Sequence, residues 1–279
     1  MKGKKKLIIP AAAVLALIAW FVIMNFIPHR PVYTAALPGL PAELEGFKIV
    51  QISDLHGASL GKDNSRLVNM VERSKPDAIA ITGDILHSAD QLETAEKLIK
   101  QLTPMAPVYY VTGNHEWASG QAANVKEAVA RAGGIALSNE FVFLGSDSGG
   151  LVIAGCDDPN GYADQKTPQE LIAEIKAVHP DSPIVMLYHR NHGLEKLSGA
   201  HAVLCGHGHG SPINAHSEIF RALLTGQRGE GNLIDWETYR SGMYDLGGMD
   251  ICVSRGIGCS IIPLRVTWMH LPTLMLTTD

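Results

Sequence analysis

From residue 47 onward the chain alternates between short apolar runs and longer stretches of helical periodicity. Phe47 to Ile52, Ala78 to Thr82, Val108 to Thr112, Pro183 to Leu187 and Ala202 to Cys205 are rich in Val, Ile and Leu. Runs of this length and composition read as buried strands. Between them, Leu67, Met70 and Val71 recur at helical spacing and stop before Pro76. Leu92, Ala95, Ile99 and Leu102 share one helix face, with Asp90 and Glu93 as a capping box. Val125, Ala128, Val129 and Ala132 form a third helix that ends at Gly133, a suitable C-terminal cap. Phe141 to Leu144 and Leu151 to Ala154 read as a hairpin, and Thr167-Pro168-Gln169-Glu170 opens another helix through a capping box. Met249 to Val253 and Leu264 to Thr267 read as two late strands. A βαβαβ first half and a strand-rich second half predict an α/β fold of two packed sheets covered by helices.

The N-terminal pattern is different. Leu7 to Ile27 carries no charge, and at 1.5 Å per residue it is long enough for a hydrocarbon core of about 30 Å. Residues 1–6 then form a basic flank, 7–27 a transmembrane anchor, 28–46 a proline-containing linker and 47–279 the soluble domain. The apolar stretch exceeds the roughly 7–15 residues of a cleaved signal peptide, although Thr34-Ala35-Ala36 offers a cleavage site. Lysines crowd the N-terminal side and only Arg30 follows closely. This asymmetry predicts a single-pass cell-membrane protein with its N-terminus in the cytoplasm and its domain outside.

Composition narrows the picture. Hydrophobic residues make up 46% and charged residues 18% of 279 positions, which supplies a substantial core and excludes broad disorder. A net charge of −5 argues against nucleic acid as the partner. Cys156, Cys205, Cys252 and Cys259 show no C-x-x-C pairing. They read as buried thiols, with a disulfide left open outside the cytoplasm.

The chemistry sits where the strands end. Asp54-Leu55-His56, Gly83-Asp84, Gly113-Asn114-His115-Glu116, Tyr188-His189 and Gly206-His207-Gly208-His209 each follow an apolar run. In open α/β sheets the carboxyl ends of the strands form the ligand crevice. Asp54, His56, Asp84, Asn114, His189, His207 and His209 would gather there as oxygen and imidazole ligands, enough for two divalent ions about 3.5–4 Å apart. Asp84 has two oxygens with which to bridge them. Mixed oxygen and nitrogen ligation suits Mn, Fe, Zn or Co, and the absence of thiolates argues against a structural zinc. His115 stands beside Asn114, free to face a substrate and protonate its leaving oxygen.

In order and spacing these motifs resemble the calcineurin-like metallophosphoesterase superfamily, whose pattern is D-x-H, G-D, G-N-H-D/E, H and G-H-x-H. The resemblance runs from about Phe47 to Thr267. It implies a four-layer α/β/β/α sandwich, here with an N-terminal transmembrane helix, and a dinuclear metal-dependent phosphoric ester hydrolase. By position it implies Asp54, His56, Asp84 and His209 on the first metal, Asp84, Asn114, His189 and His207 on the second, and His115 as general acid. Gly155-Cys156-Asp157-Asp158-Pro159 and Ser254-Arg255-Gly256-Ile257-Gly258 resemble segments of its membrane-anchored bacterial branch. Some members of that branch act on phospholipid head groups or as UDP-diacylglucosamine hydrolases, which implies a lipid-linked or otherwise phosphorylated substrate. Soluble nucleotides or cell-wall phosphates are the alternative substrates, and a metal-stabilised binding module is the non-enzymatic one. Ser/Thr protein phosphatases require Arg before G-N-H-E and Asp-Arg-Gly after G-D, whereas Thr112 and Ile85-Leu86-His87 stand there. The branch continues G-H-x-H with Gly-Gly-Gln; here Gly210-Ser211-Pro212 follows, and 211–244 reads as a lid or a surface insertion.

Beyond these residues, His87, Arg190, His192 and Arg255 are candidates for substrate phosphate, against ordinary packing roles. Asp157 and Asp158 read as turn-fixing residues, and Glu116 as a structural hydrogen-bond acceptor.

Overall fold

Two six-stranded sheets meet face to face, with helices on their outer faces. The computed structural model describes residues 2–146, 149–161, 165–210, 239–259 and 267–278, with side chains from residue 12 onward. The first sheet holds β1 (Val32–Ala36), β2 (Lys48–Ile52), β3 (Ala78–Thr82), β4 (Val108–Val111), β5 (Ile135–Ala136) and β12 (Thr273–Thr277), in the order β1-β12-β2-β3-β4-β5. The second holds β6 (Glu140–Ser146), β7 (Gly149–Gly155), β8 (Ile184–Leu187), β9 (Ala202–Cys205), β10 (Gly242–Asp245) and β11 (Asp250–Val253), in the order β10-β11-β9-β8-β7-β6. β2, β3 and β4 run parallel, as do β7, β8, β9 and β11. Their carboxyl ends therefore open at one edge of each sheet.

Side-chain alternation along the strands builds three apolar layers. Val50, Ile52, Ile79, Ile81 and Tyr110 face outward onto α2 (Ser65–Ser74), α3 (Leu92–Leu102) and α5 (Ala122–Arg131). Ile49, Ala78, Ala80, Tyr109 and Val111 point the other way, onto Ile153, Val185, Leu187 and Leu204 of the second sheet. The outer face of that sheet, with Val152, Ile184, Met186 and Val203, is covered by Leu171, Ile172 and Ile175 of α6 (Pro168–Val178). Each fully buried Val, Leu or Ile contributes about 1.5–3 kcal/mol relative to exposure. Strands buried on both faces explain why these runs read as continuous apolar blocks rather than as alternation.

Several elements depart from the sequence reading. Within 28–46, Val32–Ala36 is a strand paired in parallel with β12, and Ala35, Leu37 and Leu40 are buried. The prolines flank this edge strand rather than replacing it, so the segment is more than a connector. A capping box is made by Ser88 and Gln91 on the single turn before α3, not by Asp90 and Glu93. The expected strand at Leu264 to Thr267 falls almost wholly outside the described residues, and the last described strand is β12. A further helix, α4 (Asn114–Ala118), begins on the Gly-Asn-His-Glu motif itself. The N-terminal helix, α1, spans Lys2–Phe26. Among the described residues no helix is long and apolar enough to cross a membrane. The described side chains of α1, 12–26, cover about 22 Å at 1.5 Å per residue.

Candidate dinuclear metal site

The loops that leave β2, β3, β4, β8 and β9 converge, and their polar side chains collect in two groups that contain a carboxylate. Asp54, His56 and His209 form one; Asp84, His189 and His207 form the other; His56 also gathers with His87 and His115 in a third group, of histidines alone. In the first group His56 Nε2 lies 3.1 Å from His209 Nε2, and His209 Nε2 lies 3.7 Å from Asp54 Oδ1. In the second, His207 Nδ1 is 3.2 Å from His189 Nε2, and Asn114 Oδ1 is 2.9 Å and 3.0 Å from those two nitrogens. Asp84 joins the groups: its Oδ2 is 3.3 Å from His189 Nε2 and 3.7 Å from His56 Nε2. All seven residues expected as ligands are thus brought together.

The backbone is bent to achieve this. Asp54, His56, Asp84, His207 and His209 have φ of 50°, 47°, 51°, 70° and 51°, in the left-handed region where a side chain costs on the order of 1 kcal/mol or more. Neighbouring loops hold the bends. Asp54 N donates to Gly83 O at 3.1 Å, His56 N to Asp84 O at 2.9 Å, and Gly258 N to Asp54 O at 2.7 Å. His207 N donates to both Asp54 carboxylate oxygens at 3.1 Å. Two glycines make the closeness possible. A Cβ at Gly206 would overlap Ser53 Oγ and Asp54 Oδ2, and one at Gly113 would overlap Asp84 Oδ1.

Buried carboxylates and imidazoles without a counter-ion are expensive. Asp54 and His189 are 0% exposed and Asp84 is 2% exposed. The ion pairs of Asp54 and Asp84 among the described residues are with histidines alone. Burial pushes the Asp54 carboxyl above its ordinary value, opposed by His189 and reinforced by the Asp84 charge. Burial and then His209 hold His56 well below the usual imidazole range. For Asp84 and His189 burial opposes charging, but their mutual attraction and hydrogen bond win: the acid is lowered and the imidazole raised. His189 Nδ1 faces the Thr82 carbonyl at 2.8 Å. A carbonyl only accepts, so Nδ1 donates and Nε2 is the nitrogen aimed at the cluster. Ring nitrogens and carboxylate oxygens that converge at 3.1–3.7 Å, with no lysine or arginine among them, fit divalent cations of intermediate softness.

Residues 47–211, more than half of the chain, match the family described as Calcineurin-like phosphoesterase. The chain belongs to that family. Its members use a dinuclear divalent-metal centre, and the two Asp/His groups could hold one. The chain is similar to a bovine (Bos taurus) "Transmembrane protein with metallophosphoesterase domain", 28% identical over 81% of this chain and 56% of the relative. It is similar to the "Uncharacterized metallophosphoesterase YkuE" of Bacillus subtilis, 27% identical over 81% of this chain and 77% of that one. It is also similar to the "UDP-2,3-diacylglucosamine pyrophosphatase LpxG" of Chlamydia muridarum, 28% identical over 56% of this chain and 47% of that one. The chain spans about half the length of the transmembrane relatives it matches.

His115 lies at the edge of the first group, on the first turn of α4 rather than on an extended strand exit. Its backbone N–H donates to Asp84 Oδ1 at 2.8 Å, and its ring stands edge-on to His56 with centroids 4.7 Å apart. His87 comes within 4.9 Å of the His115 ring, and His192 within 5.6 Å of the His207 ring. Arg190 and Arg255 follow the packing reading instead. Arg190 makes a two-pronged bond to Asp158, at 2.8 Å and 2.9 Å. Arg255 reaches Trp268 O, Ser241 Oγ and His29 Nδ1 at 3.0, 3.3 and 3.0 Å. The Ser-Arg-Gly-Ile-Gly segment serves the site through its backbone, with Ile257 N on Ser53 O and Gly258 N on Asp54 O. Asp158 fixes a turn through Asn160 N at 2.9 Å, whereas Asp157 binds Thr112 Oγ1 at 2.7 Å and Lys126 Nζ at 2.5 Å.

Three supporting residues escape the sequence reading. Gln51 Nε2 donates to Thr82 Oγ1 and to Cys205 O, both at 2.9 Å, and so ties β2 to β3 and to the opposite sheet. Ser53 Oγ donates to Asp54 Oδ2 at 2.5 Å. Thr82 supplies the carbonyl that orients His189. A polar side chain inside an otherwise apolar strand run was the available signal for Gln51.

Proposed function

We propose that this chain is a membrane-anchored phosphohydrolase with a dinuclear divalent-metal centre. It would cleave a phosphoester or pyrophosphate bond in a lipid-linked or membrane-proximal substrate. The observation that carries the reading is the Asp84 carboxylate, whose Oδ2 stands between His56 at 3.7 Å and His189 at 3.3 Å. A carboxylate shared between two nitrogen-rich groups is what a two-ion centre requires.

Asp54, His56 and His209 would hold one cation, Asn114, His189 and His207 the other, and Asp84 both. Bound divalent ions there would neutralise phosphoryl oxygens and acidify water. The chain's own residues do the rest. His189 is fixed by its Nδ1 bond to Thr82 O, so Nε2 keeps one direction. Asn114 contributes a neutral oxygen, which limits the negative charge facing an anionic substrate. His115, tied by its backbone to Asp84, stands beside the first group to give a proton to the departing oxygen.

Support for the anchor comes from the uncharged run Leu7 to Ile27 with lysines before it, and from exposed Val14, Leu15, Leu17, Ile18, Trp20 and Phe21 on α1. An extracytoplasmic domain follows from the charge asymmetry. The lipid-linked substrate is supported by the relative named as a UDP-2,3-diacylglucosamine pyrophosphatase. The test is the full chain in detergent, loaded with Mn, Fe, Zn or Co and assayed against mono-, di- and pyrophosphate esters with and without acyl chains. The reading expects two ions per chain and faster cleavage of the acylated esters. Preference for soluble mononucleotides would remove the lipid part, and cation binding without cleavage of any ester would leave a binding module.

A further inference from the structure

A cleft of about 340 Å³ runs from His56 of the candidate metal site to Asn25 and Phe26 at the foot of α1. Its walls include Leu60, Ile257 and Met269, and Arg66 stands at its rim. Those three apolar residues are 8%, 2% and 4% exposed and belong to the core layer beneath the first sheet's helices. The cleft is therefore a recess in packed structure rather than a fold in a loop. Its size lies within the range of small-ligand sites, about 300–1,000 Å³.

The foot of α1 is fastened beside this recess. Arg66 Nη2 donates to Phe26 O at 2.7 Å, Trp268 Nε1 donates to Ile27 O, and His29 N donates to Met269 O at 2.8 Å. Arg30 Nη2 adds bonds to Met70 O and Ser74 Oγ, each at 3.1 Å. The last carbonyls of the helix thus find donors on the domain, as helix ends require. The exposed apolar side chains of α1, from Val14 to Phe26 and Ile27, lead to the mouth of the cleft. The cleft, lined by Phe26, Ala58, Leu60, Ile257 and Met269 together with Asn25, Ser59 and Arg66, thus lies between the apolar helix surface and a histidine of the site.

We infer that this cleft holds the hydrocarbon chain of a phosphorylated membrane amphiphile while its phosphorus lies toward the His56 end. The inference rests on the phosphohydrolase reading and deepens it by naming the part of the substrate that is recognised and where. A recess closed by Leu60, Ile257 and Met269 suits a flexible alkyl chain and excludes a folded protein segment. The Arg66 guanidinium at the rim suits the phosphate level of lipid head groups, which its fork of donors can hydrogen-bond.

The test uses the full chain in detergent micelles and a dialkyl phosphodiester with a diazirine in one chain. Irradiation is expected to label Leu60, Ile257 or Met269, with loss of the label under excess unlabelled dialkyl phosphate. Ser59→Trp, at an exposed position on the cleft wall, should abolish that label. It should also lower the ratio of long-chain to short-chain kcat/KM by about tenfold or more. Labelling confined to α1, or unchanged in Ser59→Trp, would overturn the cleft assignment. The lipid-linked reading would survive that result if the natural chain still preferred long-chain esters. No chain-length preference at all, with short esters still cleaved, would sink the lipid reading and the cleft together.

Discussion

Glu116 holds the Asp84 loop from beneath. Its Oε2 accepts the Asp84 backbone N–H at 2.9 Å and the Gly113 N–H at 2.7 Å, and its Oε1 accepts from Leu86 N at 3.2 Å. One fully buried side chain therefore fixes two of the loops that carry candidate ligands. Burial and then the nearby Asp84 charge raise its carboxyl above the ordinary value. It approaches the site from behind and lies outside the two ligand groups.

Glu116→Gln replaces one acceptor oxygen with an NH2 that faces a backbone donor. The expected cost is about 1–3 kcal/mol in denaturant unfolding of the metal-free protein. Metal affinity, read by calorimetry, should fall about 10–100-fold because the Asp84 loop loses its support. Unchanged affinity in a stably folded variant would mean that Glu116 does not position Asp84.

Gln51 makes a prediction about the fold alone. Gln51→Leu matches its bulk but leaves the buried Cys205 carbonyl without the 2.9 Å donor between the sheets. The carbonyl keeps its 2.8 Å bond from Ser254 N, so unfolding experiments should show a loss of about 0.5–1.5 kcal/mol. A neutral result would show that another donor, such as water, replaces the amide.

Much of this arrangement is legible in the sequence, and the reason is physical. Asp54, Asp84, His189 and His207 follow strands buried on both faces, so the apolar runs announce where the chain must turn and expose polar groups. The edges are harder to read. Val32–Ala36 pairs on one side only and has a mostly exposed burial pattern, so it lacks the apolar block that marks β3 or β8. The two-residue β5 is too short to carry a pattern. Glu116 is readable as an acceptor, but not which backbone donors it serves, because Asp84 and Leu86 are 32 and 30 residues away. Arg255 looks like a phosphate ligand beside its glycines; only the three-dimensional neighbours His29 and Trp268 reveal its packing role.

His201 predicts a pH effect remote from the site. Its Nδ1 accepts from Ile184 N at 2.9 Å, and burial, with Lys176 adding, holds its imidazole below the ordinary 6.5. The folded value therefore lies below the unfolded one. This contribution to stability is complete above about pH 6.5 and is lost as pH falls from there toward the folded value. His201→Asn keeps an acceptor near Nδ1 but does not titrate. The variant should lose less stability than the natural chain between about pH 7.5 and 5.5, as read by urea midpoints; equal losses would contradict the assignment.

His115 is tested by its leaving groups. His115→Asn should reduce kcat for alkyl phosphoesters, which need a proton on the departing oxygen, by about 10²–10⁴-fold. Aryl esters with acidic leaving groups should lose much less. Equal losses for both would assign His115 a structural role.

The central claim is that Asp84 bridges two cations. Anomalous diffraction from crystals of the Mn-loaded protein measures this directly. The account predicts two peaks about 3.5–4 Å apart, one among Asp54, His56 and His209, the other among Asn114, His189 and His207, with Asp84 Oδ2 between them. A single peak, or two peaks with Asp84 bound to neither, would contradict it.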